Sequence, residues 1–348
     1  MTEQEALEFE TLMKKRPHVV ILGAGASVAA IPNGDANGKK ISVMNDFFQK
    51  TNTEYLLDGI ELKTKSRNLE DIYSEIYERP ELKDICLKLE KAIYDYFSDL
   101  QIPQEPTIYD FLILSLRSKD LIATFNWDPL LLQSYQRVSR ITNDLPDLSF
   151  LHGNVLVGIC EEHKMGGYIY NRCSYCGKPL KPIKLLYPIK QKDYNSDLYL
   201  RDSWNVLKQY LKYAYVITLF GYGAPPSDVE AISMLKEAWG DTEKRNLEQT
   251  EIIDIKSEDE LAETWKPFIY SHHYEIHNSF FDSTLASFPR RTCECLFDNL
   301  MNCKFLDGEN GFKSGMNWND IKVFLRPILE DEYNNRDKML TDFWIRGL

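Results

Sequence analysis

No apolar run in this 348-residue chain is long enough to span a membrane, and its first residues carry no apolar signal-peptide core. A basic excess is missing too. Lys and Arg number 41 against 53 Asp and Glu, a formal net charge of −12. That balance excludes a dedicated nucleic-acid binder, whose phosphate contacts need a basic face. Internal repeats and low-complexity segments are absent, which leaves no solenoid or tail to account for. Cysteine is sparse and odd in number, at seven. In a reducing compartment, clustered cysteines are metal ligands more readily than disulfides. What is left is a globular chain, 43% hydrophobic and 12% aromatic, with length for one large domain or two smaller ones. The expectation is a soluble, cytoplasmic protein with no membrane contact.

The stretch around which the chain is organised is His18 to Ser27, HVVILGAGAS. Val19 to Leu22 suits a buried parallel strand, and the glycines suit a tight turn into a helix. Gly23 and Gly25 would let backbone approach a pyrophosphate, and the helix that follows would turn its positive end toward it. The third glycine of the common dinucleotide fingerprint is missing, since Val28 stands there. No acidic residue closes a second strand about 20 residues on. Taken alone, the stretch fits a phosphate turn and an ordinary α/β strand–turn equally.

Strand and helix signals then alternate. Ile31 to Gly38 is a Gly/Pro/Asn loop, placed either to cover a ligand or to lie on the surface. From Ile41 to Arg117 apolar residues recur at helical spacing, as in Leu69, Ile72, Tyr73, Ile76 and Tyr77. Leu121 to Phe125 is a second strand ending in Asn126, Trp127, Asp128 and Pro129. Leu148 to Leu151 is a third, ending in His152 and Gly153. A helix over Ser203–Lys212 precedes a strand over Tyr215–Phe220 that ends in Gly221, Tyr222 and Gly223. Pro225, Pro226, Ser227 and Asp228 would cap a helix running to about Trp239. Glu251 to Ile255 is another strand, and the chain from His277 onward is largely helical. This order predicts an α/β fold with a doubly wound, mostly parallel Rossmann-like sheet, a helical insertion and a small zinc-binding module. The expected organisation is a nucleotide-binding domain over 1–276, with the insertion at about 41–117 and the zinc module at about 158–180. A helical segment over 277–348 would pack on that core.

Two constellations carry chemistry. Cys160-x-x-His163 and Cys173-x-x-Cys176 are paired chelating knuckles, the pattern of a closed, structural tetrahedral zinc site. Cys293, Cys295 and Cys303 read as helix residues, and Cys86 as core. His272, His273 and His277 read as loop residues with no matching carboxylate. Asn126, Asp128 and His152 all follow apolar strands, where ligands sit in open α/β sheets. Each also has a plain structural explanation, as helix entry, N-cap and turn residue. Upstream of them lies the glycine turn, and the combination favours a site.

The order of these motifs resembles the sirtuin superfamily. The phosphate turn matches Gly23, Ala24, Gly25, Ala26 and Ser27, the Asn-x-Asp motif Asn126 and Asp128, and the His-Gly motif His152 and Gly153. A four-ligand zinc module follows, here with one histidine in place of a cysteine, and a later strand end matches Gly221. Protein-deacylating sirtuins have an arginine and a phenylalanine after their first Ile-Pro. Here Ile31 and Pro32 are followed by Asn33, Gly34 and Asp35, and no acyl-peptide groove motif follows the zinc module. The pattern is closer to sirtuin-like domains of bacterial anti-phage systems, which resemble NAD hydrolases and some of which work with a HerA-type ATPase.

The resemblance implies an enzyme that cleaves the nicotinamide–ribose bond of NAD, depleting NAD in anti-phage defence. Asn126 and His152 would be catalytic, Asp128 would bind the carboxamide, and Gly23, Ala24, Gly25 and Ser27 the phosphates. Gly221 and Asp254 would serve the adenosine half. A HerA-type ATPase partner and a homo-oligomer are the expected assemblies, and structural zinc the expected metal. Two other readings stay open: an NAD-dependent protein deacylase, and a non-catalytic sensor or adaptor that binds NAD or ADP-ribose.

Overall fold

The computed structural model describes residues 2–189, 194, 197–225, 228–335 and 340–345. Helix α1 (Glu3–Lys15) begins with a reciprocal cap, in which Thr2 Oγ1 accepts from the Glu5 amide at 3.2 Å and the Thr2 amide donates to Glu5 at 2.6 Å. The strand β1 (His18–Leu22) is buried at every residue, as its unbroken apolar run requires. It turns into the short helix α2 (Ala24–Ala30). The insertion then contributes α3 (Phe47–Thr51), α4 (Leu69–Tyr77), α5 (Lys83–Ser98) and α6 (Ile108–Leu114). Pro80 opens a 3-10 turn leading into α5, and Thr107 caps α6 with Asp110 in a second reciprocal box. Of the predicted stripe on α4, Tyr77 alone lies exposed, stacked on Tyr73 at 6.1 Å.

The strands β2 (Leu121–Thr124) and β3 (Asp147–Phe150) flank α7 (Leu130–Val138). Three short strands follow, β4 (Val157–Cys160), β5 (Met165–Tyr168) and β6 (Lys181–Pro182), forming a separate antiparallel sheet in the order β5-β4-β6. After α8 (Leu198–Tyr213) come β7 (Val216–Phe220), α9 (Val229–Trp239), β8 (Gln249–Ile253), α10 (Glu258–Trp265) and β9 (Tyr274–His277). The last helices are α11 (Thr284–Ser287), α12 (Thr292–Leu300) and α13 (Trp318–Asn334).

The main sheet has six parallel strands in the order β3-β2-β1-β7-β8-β9. It is the predicted doubly wound α/β fold, and β1 shows why. Its alternate residues feed two cores. Val19 and Ile21 pack with Trp204, Leu207 and Leu211 of α8 and with Leu235 of α9. Val20 and Leu22 pack with Ala26 and Ala30 of α2, Leu112 of α6 and Leu131 of α7. Residues beyond β9 are tied to the sheet end by buried charge. Arg117 pairs with Glu294, and Arg290, itself paired with Glu332 at 2.7 Å, reaches Asp144 at 3.2 Å.

Three local expectations are corrected. The eighth strand is Gln249–Ile253, two residues earlier than the apolar pattern suggested, so Asp254 lies just beyond it. The segment ending at His277 is a strand, β9, whose half-buried and exposed residues gave no apolar run. His277 has the carboxylates that the local sequence concealed. Glu251 and Glu275 lie 3.5 and 3.3 Å from its Nε2. Burial depresses its pKa, but those carboxylates outweigh burial and hold it up at about 10. The loop from Ile31 to Gly38 is stapled by Asp35, whose Oδ1 accepts from the Asn37 and Lys39 amides at 2.8 Å and whose Oδ2 accepts from the Gln101 amide at 3.0 Å.

The parting of β1 and β7 at the sheet's centre is held by glycine. A Cβ on Gly25 would sit 2.8 Å from the Gly221 Cα, and one on Gly221, whose φ is +60°, would sit 2.3 Å from the Ala26 amide nitrogen. Gly25→Ala is therefore expected to cost about 1–3 kcal/mol, since backbone must move to admit the methyl. Thermal unfolding checks this, with Gly223→Ala, whose Cβ would meet nothing within 4 Å, expected to be close to neutral.

Candidate functional site

The turns after β1, β2, β3 and β7 converge on one cleft of about 350 Å³ at the carboxyl ends of the strands, where the strand order reverses. In open α/β sheets this reversal is where ligands bind. Gly23, Ala24, Ser27, Asn126, Asp128, His152 and Gly221 all line it. The sequence placed these seven residues in a site separately, and the fold gathers them. Gly25 is not among the lining residues. It is spent on the close packing against Gly221. Asp254 also lies outside the lining, its Oδ1 accepting from the Lys256 amide at 3.1 Å. The loop at Ile31–Gly38 does not cover the cleft, and residues from Ile41 to Asn45 do.

Asn126 is oriented by its neighbours. Its Nδ2 donates to the Gly23 carbonyl at 2.8 Å and to Ser27 Oγ at 2.9 Å. A carbonyl only accepts, so this contact sets which side of the amide is nitrogen. Oδ1 is then the atom left to meet a ligand. Ser27 Oγ takes that donation, meets Tyr109 Oη at 2.6 Å, and donates to Asp128 Oδ2 at 2.6 Å. With the Ser27 proton on Asp128, Tyr109 must donate to Ser27, giving a directed chain from phenol to hydroxyl to carboxylate. Asp128 also accepts from the Leu130 amide at 3.1 Å, although the N-cap position of α7 is Pro129, one residue later than expected from the sequence. Burial pushes its pKa up to about 6, against the hydrogen bonds from Ser27 and Leu130. Asn154 donates to the Asp128 carbonyl at 2.6 Å and holds this turn from below.

The opposite wall is aromatic. Phe125 stacks on Tyr222 with ring centres 4.3 Å apart and meets the His152 ring edge-on at 4.8 Å. His152 is buried, and its Nε2 lies 3.3 Å from Tyr194 Oη. Tyr222 donates to Asp228 Oδ2 at 2.9 Å, and burial together with that carboxylate raises its phenol pKa. Asp228 opens α9 but makes no side-chain cap there. Of the proposed cap, Pro226 and Ser227 lie outside the described residues. Tyr109, Tyr222 and Asp228 were not found from sequence. Tyr109 sits in an apolar helix run that reads as core, and the Tyr222 and Asp228 signals were absorbed as turn and cap.

Cys160, His163, Cys173 and Cys176 come together at the end of the β4–β5 hairpin. Cys160 Sγ lies 3.6 Å from His163 Nδ1 and 3.7 Å from Cys176 Sγ, and Cys173 Sγ lies 3.7 Å from His163 Nδ1. Zn–S bonds of about 2.3 Å and Zn–N bonds of about 2.0–2.1 Å put tetrahedral ligand atoms roughly 3.5–3.8 Å apart. The four ligands therefore fit zinc in number, type and spacing. With four protein ligands and no open position, zinc there would brace the module and take no part in chemistry. None of the four lines the cleft.

Two outcomes follow. Metal analysis should find zinc bound to these ligands, and Cys173→Ser should lose it and unfold at a markedly lower temperature. Zinc-free protein with unchanged melting would contradict this. For Asp128, the raised pKa means the fold favours its neutral form. That contribution to stability is full below about pH 4 and is lost as pH rises through about 6. Melting curves from pH 4 to 7 should show the wild type falling relative to Asp128→Asn across that window. A constant difference would place the Asp128 pKa at its ordinary value.

No protein-family profile matches this chain, and no curated protein matches it. Among solved structures, it is similar to a Sir2 homologue in complex with NAD, at 14% identity over 85% of this chain and 96% of the other, with a TM-score of 0.42. It is similar to a mutant Sir2 homologue in complex with ADP-ribose, at 12% identity over 95% and 98% of the two chains, with a TM-score of 0.40. A structure described for the mechanism and regulation of Sir2 enzymes aligns at 15% identity over 85% and 100%, with a TM-score of 0.40.

Proposed function

We propose that the chain is an NAD⁺ glycohydrolase, cleaving the bond between nicotinamide and ribose to give nicotinamide and ADP-ribose. The observation that carries this reading is the convergence of the glycine turn, Asn126, Asp128 and His152 on the strand-order reversal. The bond suits such a site. Nicotinamide in NAD⁺ is a cation and leaves as a neutral molecule, taking the bonding pair, so no strong acid is needed. The ribose passes through an oxocarbenium-like state, as in glycoside cleavage, and water adds to the anomeric carbon while releasing a proton.

In this reading the Gly23–Ala24 turn and Ser27 hold the phosphates, with Gly221 behind them. Asp128 binds the carboxamide. The Asn126 Oδ1 accepts from a ribose hydroxyl or from the attacking water, in an orientation set in advance by Gly23 and Ser27. His152 takes the proton of that water, a general-base role that an imidazole can fill. Asp254, outside the cleft lining, is the weakest member of this set.

The setting we propose is anti-phage defence by NAD depletion, with a HerA-type ATPase as partner and a homo-oligomeric assembly. Its support is the resemblance in motif order together with Asn33, Gly34 and Asp35 in place of the deacylase motif. Co-purification with such an ATPase, and infection-dependent loss of cellular NAD, test the setting separately from the chemistry.

The chemistry is tested on purified protein by following NAD loss and ADP-ribose gain. Asn126→Ala should abolish cleavage while keeping the wild-type melting temperature. His152→Ala should lower turnover by roughly 10²- to 10⁴-fold with NAD affinity little changed. Wild-type turnover per folded molecule in either variant would remove that residue from the mechanism. Binding of NAD with no cleavage by the wild type would favour the sensor reading.

A further inference from the structure

We infer that Glu251, Glu275 and His277 form a second zinc site, a clasp between β8 and β9 that is independent of the cysteine module and of the cleft. The strand register brings the three side chains together. Glu251 pairs with Glu275 across the two strands, as Ile253 does with His277. Alternate residues of a strand share a face, so Glu275 and His277 stand on one face of β9 beside Glu251 of β8. Their ligand atoms all lie within 4.8 Å of one another. None of the three lines the cleft. Two observations point to a cation among them. His277 Nε2 lies 3.5 Å from Glu251 and 3.3 Å from Glu275, beyond the roughly 2.7–3.2 Å of an N–H···O bond. Nitrogen and oxygen ligands about 2.0–2.2 Å from tetrahedral zinc stand roughly 3.3–3.5 Å apart. In addition, Nε2 is buried and has no aligned hydrogen-bond partner among the described residues. A ring nitrogen carries at most one proton and can give it to one oxygen, whereas a cation set between the three groups bonds to all of them. Zinc would displace the proton that the two carboxylates favour on His277.

Glu251 is held in place from behind. It is buried, its Oε1 accepts from the Thr284 amide at 2.6 Å, and its Oε2 accepts from Thr218 Oγ1 at 2.8 Å. The one proton of Thr218 is spent there, so His18 Nε2, 2.7 Å from the same hydroxyl, must donate to it. Burial pushes the His18 pKa down to about 4, which keeps the ring neutral. Its Nδ1 then accepts from Thr292 Oγ1 at 2.9 Å. The result is a directed chain from Thr292 through His18 and Thr218 to Glu251, the kind of outer support that orients a metal ligand. On the other side the site is open. Glu275 is exposed and His277 half-buried, so a cation can enter from solvent and a water can take the fourth position. β9 is the edge of the sheet and pairs with β8 alone. Zinc at this point would fasten the edge strand to its neighbour.

Cobalt(II) tests the inference, because it substitutes for zinc and reports its ligands. Cobalt bound to thiolate absorbs strongly in the near ultraviolet, and cobalt held by nitrogen and oxygen shows visible d–d bands without that absorption. The full-length chain is dialysed against citrate and titrated with cobalt(II). One equivalent should bind with d–d bands and no accompanying thiolate absorption. His277→Gln and Glu275→Gln should each weaken this equivalent by at least about tenfold, since losing a ligand costs no less than losing its outer support. Both variants should keep the metal of the cysteine module. Excess zinc should raise the melting temperature of the wild type more than that of His277→Gln, by mass action on a site that only the folded chain possesses. Glu275 is exposed, so Glu275→Gln carries the test if His277→Gln fails to fold. Absence of a cobalt equivalent free of thiolate absorption in the wild type would overturn the inference. So would an equivalent that both variants bind as tightly as the wild type, which would mark it as adventitious binding to other surface carboxylates.

Discussion

Everything at the candidate site depends on how closely two pieces of backbone approach. The turn after β1 and the turn after β7 meet at Gly23, Gly25 and Gly221. A Cβ on Gly23 would lie 2.5 Å from the Gly221 carbonyl oxygen, and Gly221 holds a left-handed φ of +60°. The hydrogen bond from the Gly25 amide to the Gly221 carbonyl, at 2.9 Å, closes the contact. Adjacent parallel strands that carry their helices to opposite faces leave a crevice at their ends. Here the glycines bring the crevice floor together and leave its mouth between Asn126 on one side and Tyr222 on the other. The glycines therefore serve packing first. Gly25 does nothing else, whereas Gly23 also faces the cleft.

From that floor the polar network is built outward. Gly23 offers a carbonyl, Asn126 accepts the constraint by pointing its amide nitrogen at it, and Ser27 one turn along α2 takes the second proton. Tyr109 and Asp128 then complete the Ser27 environment. Four residues from three separate parts of the chain, Gly23 with Ser27, Tyr109, and Asp128, thus determine which atom of Asn126 is left for a ligand. The arrangement is preorganised in the sense that matters for a reaction through a short-lived cation: no group has to rotate for the acceptor to be in place.

The sequence made part of this legible for identifiable reasons. A strand buried on both faces needs an unbroken apolar run, so β1, β2 and β7 could be read directly. Chelating knuckles have fixed spacing, so Cys160, His163, Cys173 and Cys176 could be read too. Polar residues immediately after such strands are placed by the strand itself, which is why Asn126, Asp128 and His152 were found. The edge strand β9 has three half-buried residues and an exposed Glu275, and Glu275 and His277 in it look like loop. Tyr109 lies 82 positions from Ser27, in a helix whose other residues are core, and nothing local marks its hydroxyl. Loop composition foretold a turn at Ile31–Gly38 but not its direction. Asp35 ties it back to Gln101, away from the cleft.

The treatment of buried charge separates the site from the rest of the molecule. Elsewhere several such groups are matched by opposite charge, although buried Asp35 is held by backbone amides. Glu294 is fully buried, yet Arg117 holds its carboxyl below the usual range against the cost of burial. Arg290 and Arg291, also buried, share Glu332, and Lys14 reaches Asp298 at 2.7 Å. These pairs fasten the residues after β9 to the sheet and to α1. Among the described residues Asp128 has no such partner. Its neighbours are hydroxyl and amide donors, and its pKa rises where that of Glu294 falls. A buried carboxylate surrounded by hydroxyl and amide donors ionises at a cost in stability, which is why the Asp128 pKa is raised. Scaffold and cleft therefore differ in how they hold a buried carboxylate: Arg117 pairs with Glu294 in the first, and the Ser27 hydroxyl and the Leu130 amide surround Asp128 in the second.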